Sequence, residues 1–198
     1  MHYFVTMSEP SQKIIIITAP SGSGKTSITR YLMQKFPQLS FSVSATTRLP
    51  RPKEQNGVDY YFLTTEAFKS KIDAEEFIEY EMVYQGVYYG TLKTEMNRIW
   101  NNLQVPVLDI DVKGAMNVMR LYPGKTLSLF IEPPSLEELE NRLKKRGTET
   151  SDSLLKRITK ASEEMAYKKE FDVVIVNDVL EIACNQAEQS VNCFLDKT

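Results

Sequence analysis

Apolar residues along this chain follow two rhythms: short β-rich runs, and longer stretches in which they recur every three or four positions. The short β-rich runs at 13–18, 41–45, 105–110, 127–131 and 173–176 predict core strands. The three-to-four spacing predicts helices over 24–36, 112–121, 135–145, 151–168 and 179–194. Ser135 followed by Glu138 has the form of a capping box. Strands alternating with helices in this order predict an α/β fold with a parallel sheet flanked by helices. Between 48 and 100 the alternation breaks: Pro50, Pro52 and Gly57 punctuate short alternating runs at 60–63, 77–84 and 87–89, the pattern of a small, partly antiparallel insert. A second interruption surrounds the turn at Arg146, between Arg142 and Arg157, where charged residues crowd together. Residues 1–12 carry neither rhythm and read as a flexible extension, with Met7 as an alternative start.

Composition narrows the function without choosing it. A chain of 198 residues with 42% hydrophobic content supports one core with appended lobes. A net charge of -2 argues against a general binder of nucleic acid or membrane surfaces, so any basic cluster should serve a local anionic ligand. No apolar run approaches the roughly 18 residues of a membrane helix and no leader pattern opens the chain, so a cytoplasmic protein is expected. Cys184 and Cys193 fall on one predicted helix, separated by about 13 Å of rise on opposite faces, and should not pair. His2, the only histidine, lies in the extension and leaves no histidine for catalysis.

Candidate chemistry begins directly after the first strand. Ala19, Pro20, Ser21, Gly22, Ser23, Gly24, Lys25 and Thr26 form a phosphate-binding loop at a strand-to-helix junction. The glycines let successive N–H groups face anionic oxygens, and the following helix adds the positive end of its dipole. Lys25 would span the β and γ phosphates, and the Thr26 hydroxyl would meet Mg²⁺. The usual pattern opens on glycine; Ala19 fits there if its φ is negative and costs roughly 1–2 kcal/mol if it is left-handed.

A second anion site is suggested by Arg48 and Arg51, whose planar forks, spaced by Pro50, could converge on one phosphate. Tyr60 and Tyr89 offer phenolic donors. Glu79 could accept two hydrogen bonds from the N1–H and exocyclic amine of guanine, which adenine cannot offer, while Ser44 and Thr91 donate toward O6. Asp109 and Asp111 end a predicted core strand, where a carboxylate reaches the metal shell beside a phosphate loop; either could do so, leaving the other for the acceptor nucleotide.

Taken in order, these motifs resemble the guanylate kinase family. The resemblance covers residues 13–195 and rests on Pro20 to Thr26, Ser42 to Arg51, Gly57 to Tyr60, Phe77 to Glu79, Tyr88 to Thr91, Leu108 to Asp111, Pro133 to Ser135, Arg142 to Glu149 and Val176 to Asp178. It implies a P-loop core (13–47, 101–139 and 161–198), a GMP-binding insert at 48–100 and a helical lid at 140–160. It also implies transfer of the ATP γ-phosphoryl group to GMP, and to dGMP, with Mg²⁺, by a monomer or homodimer that needs neither nucleic acid nor membrane. By the same resemblance, Arg48, Arg51, Tyr60 and Tyr89 hold the acceptor phosphate. Ser44, Glu79, Gly90, Thr91 and Asp111 form the base side, and Thr26 with Asp109 serves the metal. Arg142, Arg146 and Arg157 neutralise the transferring group alongside Lys25 and Arg48, and Asn177 lies near the adenine. Two other readings remain open from the residues: a binding module that uses the same cleft for an acidic peptide, and a P-loop kinase for another phosphorylated small molecule.

Overall fold

The computed structural model describes residues 12–145 and 151–196. The chain begins with β1 (Ile14–Thr18), α1 (Lys25–Lys35), β2 (Leu39–Phe41), β3 (Ala45–Thr46), β4 (Tyr61–Phe62), α2 (Thr65–Asp73), β5 (Phe77–Tyr84) and β6 (Val87–Leu92). It continues through α3 (Lys93–Asn101), β7 (Val105–Asp109), α4 (Val112–Leu121), β8 (Thr126–Glu132), α5 (Leu136–Lys145), α6 (Ser151–Met165), β9 (Val173–Val176) and α7 (Leu180–Asp196). Five strands form a parallel sheet in the order β2-β7-β1-β8-β9. Helices cover both of its faces.

This layering explains why Ile14, Ile15, Ile16 and Ile17 are all fully buried. Successive strand residues point to opposite faces, so Ile15 and Ile17 pack with Ile28 and Leu32 of α1 and Ala187 and Val191 of α7. Ile14 and Ile16 pack with Met96 and Trp100 of α3 and Val118 of α4. An unbroken apolar run is what a strand between two helix layers requires.

One expected core strand is corrected. The run at 41–45 is not a single strand: β2 ends at Phe41 in the parallel sheet, and the chain then crosses to a second, four-stranded sheet at β3. That sheet has the order β4-β3-β6-β5, with β3–β6 and β5–β6 antiparallel and β3–β4 parallel. It has its own small core, where Phe68 of α2 stacks on Phe77 with ring centroids 4.3 Å apart. Helices α2 and α3 are additions to the elements expected from the pattern.

The Ser135 cap forms, its Oγ accepting from the Glu138 N–H at 3.0 Å. The carboxylate of Glu138 does not return to complete the box; it accepts from Arg142 Nε at 2.9 Å. Cys184 and Cys193 are both free thiols on α7. The expected extension, apart from Gln12, and the turn containing Arg146 lie outside the described residues. Among those residues no helix is long and apolar enough to cross a membrane.

Candidate active site

β1 delivers the chain to a loop that enters α1 at Gly24. Gly22 and Gly24 adopt φ of 103° and 94°, conformations that would strain an L-residue by roughly 1–2 kcal/mol. Ala19 is not among the positive-φ residues, so alanine is accommodated where the usual pattern has glycine. Close packing reinforces the demand for glycine: a Cβ on Gly24 would stand 2.1 Å from Nδ2 of Asn177. That buried amide donates to the Ser23 carbonyl at 2.7 Å, bracing the loop. Asn177 and Ser23 therefore support the loop, while Pro20, Ser21, Lys25 and Thr26 line a cavity of about 410 Å³. The first helical bonds run from Ser27 and Ile28 to the Gly24 carbonyl. Ahead of them, the amides of Lys25 and Thr26 have no acceptor within the helix, so the positive end of α1 meets the cavity.

Parallel pairing sets Asp109, at the end of β7, level with Ile17, just before the loop. Its carboxylate forms an ion pair with Lys25 Nζ. Asp111 caps α4, its Oδ1 accepting from the Gly114 N–H at 2.8 Å. Both aspartates line the cavity.

The second sheet supplies the facing wall. β5–β6 pairing places Glu79 opposite Thr91, whose hydroxyl donates to Glu79 Oε1 at 2.7 Å. Glu79 is only 6% exposed. Burial pushes its carboxyl up to about 7, and the neighbouring charges of Asp111 and Glu81 push the same way against the Thr91 hydrogen bond. A Cβ on Gly114 would lie 2.5 Å from Glu79 Oε2, so the absent side chain there is what admits the carboxylate to the first turn of α4. Glu79, Glu81 and Val83 face the cavity together, beside Ser44, Tyr60, Tyr89 and Gly90. Phe77, which strict alternation would put on the same face, leaves it at the register shift between Phe77 and Glu79 and packs into the second core.

Arg48 lies over the Tyr60 ring at 5.1 Å and grips Glu54 with both terminal nitrogens, at 2.8 and 2.9 Å. That pairing holds the Glu54 carboxyl at about 2. The same carboxylate accepts from the Arg51 backbone N–H at 2.6 Å, closing the loop that carries both arginines. Neither arginine is itself a wall of the cavity; Arg48 stands against Tyr60, which is, and the Arg51 side chain is exposed. Tyr60 meets Tyr89 edge-on, with centroids 6.0 Å apart.

Helices α5 and α6 close the remaining side. Leu139 and Leu143 of α5 pack with Ala161 of α6. Arg142 donates from Nη1 to the Asn177 carbonyl at 3.0 Å, behind the loop. Arg157 crosses to Ser21, Nη1 to Oγ at 2.7 Å, and lines the cavity with Lys160 and Glu164. Burial raises the Glu164 carboxyl above its ordinary value. Arg146 lies outside the described residues.

Four participants carried no sequence signal of their own. Glu54, Lys160 and Glu164 sat within charge-rich stretches that read equally well as solvated surface, and Gly114 interrupted an ordinary helical pattern. For Gly114 the sequence offers no more than a glycine in the first turn of a helix, three residues after an aspartate cap.

A parallel sheet whose central strand runs into a glycine-rich loop with Lys25-Thr26, faced across one cavity by a buried carboxylate, defines a P-loop protein with a second, carboxylate-bearing wall opposite its loop. The guanylate kinase family model matches residues 11–193, and the chain belongs to that family. It is 46% identical over 186 residues to a guanylate kinase of Porphyromonas gingivalis, covering 93% of this chain and 99% of that protein. A Salinibacter ruber guanylate kinase is likewise 46% identical over 186 residues, covering 94% and 98% of the two chains. The crystal structure of guanylate kinase from Anaplasma phagocytophilum superposes with a TM-score of 0.75 at 28% identity, covering 94% of this chain and 87% of that one.

Proposed function

We propose that this enzyme transfers the γ-phosphoryl group of ATP to GMP, and to dGMP, yielding ADP and the nucleoside diphosphate for purine nucleotide metabolism. The observation that carries the reading is the Glu79 carboxylate, buried against Thr91, lining the same cavity as Lys25 and Thr26. Paired acceptor oxygens match the two donors on the guanine edge, whereas adenine would set an acceptor against the carboxylate. Rejection of such a mismatch can reach about 10⁴-fold.

The triphosphate fits the loop: two glycine turns, the open end of α1 and Lys25 together offer backbone donors and a cation. Lys25 would exchange its Asp109 partner for phosphate oxygens. Thr26 and Asp109 provide hard oxygen donors on one wall, the donor set Mg²⁺ takes, and the ion supplies charge neutralisation at the β and γ oxygens when bound. Arg48 and Arg51, with Tyr60 and Tyr89, hold the acceptor phosphate; Ser44, Gly90 and Asp111 complete the base side. Arg142, Arg146 and Arg157 steady the transferring group from the lid. A phosphate oxygen is a competent nucleophile near neutral pH, so positioning and charge stabilisation carry the rate without a dedicated base.

On this reading 13–47, 101–139 and 161–198 form the core, 48–100 the GMP-binding insert and 140–160 the lid. The net charge of -2 supports action on free nucleotides rather than on nucleic acid or a membrane surface; the enzyme would work in the cytoplasm, as a monomer or homodimer. ADP release measured with ATP, Mg²⁺ and each of GMP, dGMP, AMP, UMP and dTMP tests the proposal. Turnover is expected with GMP and dGMP only. Equal turnover with AMP would remove Glu79 as the base reader, and folded protein that binds GMP without turnover would be a binding module.

A further inference from the structure

The chain passes between its two sheets twice: outward through 42–44, from β2 to β3, and back through α3, from β6 to β7. One buried side chain touches both passages. Glu95, in the first turn of α3, is 2% exposed. Its Oε1 accepts from the backbone N–H of Val43 at 3.0 Å, and its Oε2 accepts from the hydroxyl of Tyr61, also at 3.0 Å. Arg98, one turn along, binds the same carboxylate as a fork, Nε to Oε2 at 2.9 Å and Nη2 to Oε1 at 2.8 Å. Four hydrogen bonds therefore converge on one carboxylate from the outgoing strand, the second sheet and the returning helix. A buried charge is stable only when saturated in this way.

Two of these partners adjoin residues of the facing wall of the cavity, and the helix that carries Glu95 follows directly on the strand of Thr91, the hydrogen-bond partner of Glu79. Val43 precedes Ser44, Tyr61 follows Tyr60, and Thr91 stands four residues before Glu95 at the end of β6. The Tyr61 N–H also donates to the Ser44 carbonyl at 2.9 Å, tying two of these neighbours directly. Nothing in the cluster reaches the phosphate loop.

We propose that Glu95 is a positioning residue for the acceptor nucleotide: by clasping Val43, Tyr61 and Arg98 it fixes Ser44, Tyr60 and Thr91 in mutual register, and so sets affinity for GMP without contacting it. The inference rests on the assignment of that wall to GMP. Glu95→Gln keeps the side-chain shape but replaces one acceptor oxygen with a donor, which cannot serve both Arg98 and its second partner. Tyr61→Phe removes one hydrogen bond and leaves the Arg98 pair intact.

Steady-state kinetics on the full chain, with GMP and ATP varied in turn, tests it. Glu95→Gln should raise the KM for GMP about tenfold, and Tyr61→Phe about threefold, with kcat and the KM for ATP within about twofold of the parent. The double variant should be no worse than Glu95→Gln alone within about twofold, since both changes act through one carboxylate. Parallel rises in both KM values, or a lowered melting temperature with the GMP parameters unchanged, would overturn the proposal. If Glu95→Gln does not fold, Tyr61→Phe alone decides by the same split. A parent enzyme that fails to use or bind GMP would refute the assignment of the wall instead, a result distinct from variants that leave GMP use untouched.

Discussion

Glu79 is where local environment bears most directly on what the enzyme does. In the proposed base-reading role the ionised carboxylate is the form that would accept from guanine, yet burial lifts its pKa from 4.5 to about 7 in the free protein. Acidification should therefore weaken GMP binding, the dissociation constant rising about fivefold from pH 7 to pH 6 beyond the change due to the GMP phosphate itself. Stability moves the other way. The folded carboxyl holds its proton more tightly than the unfolded one, so its favourable contribution is complete below pH 4.5 and is lost as pH rises through about 7. Glu79→Gln should remove both effects: calorimetric titration between pH 6 and 8 should show weak GMP binding with no dependence beyond that of the phosphate, while ATP binding is unchanged. A persistent fivefold change in the variant would place the titrating group elsewhere.

The elements are as tightly constrained as the residues, and two glycines make this testable. Gly114→Ala adds a methyl group 2.5 Å from Glu79 Oε2, so one of the two must move. The KM for GMP should rise by at least tenfold with the KM for ATP held within twofold, a split readable from steady-state kinetics. Gly24→Ala instead combines a left-handed φ of 94° with a contact to Asn177, so it should disrupt the phosphate loop, lowering the melting temperature and abolishing measurable ATP binding. Sequence pattern located the strands and helices that are decided by burial on both faces or along one stripe, such as 14–17 and α1. It misread 41–45 because the alternation of Phe41, Val43 and Ala45 reads as one strand whether the chain stays in one sheet or crosses to another. It passed over α3 because Met96, Ile99 and Trp100 supply only one helical repeat within nine residues. The phosphate loop was legible because its chemistry is local. The Glu54 pair with Arg48, the Gly114 notch under Glu79 and the Glu95 clasp depend on which segments become neighbours, which no local spacing encodes.

For the molecule as a whole, direct transfer requires that two nucleotide sites from different sheets face each other across one cavity. Lys25→Ala should therefore reduce turnover by at least about 10³-fold while leaving GMP binding intact, because in the proposed mechanism the loop cation acts on the donor phosphates alone. Helices α5 and α6 touch the phosphate loop through Leu139 and Arg157. The most direct test is calorimetric binding of a bisubstrate ligand, adenosine and guanosine joined through one polyphosphate chain, compared with ATP and GMP separately. Facing sites predict a dissociation constant at least about 100-fold below that of either nucleotide, 1:1 stoichiometry, and loss of the advantage in both Lys25→Ala and Glu79→Gln. A bisubstrate ligand that binds no tighter than ATP, or that leaves room for GMP to bind alongside it, would contradict the account.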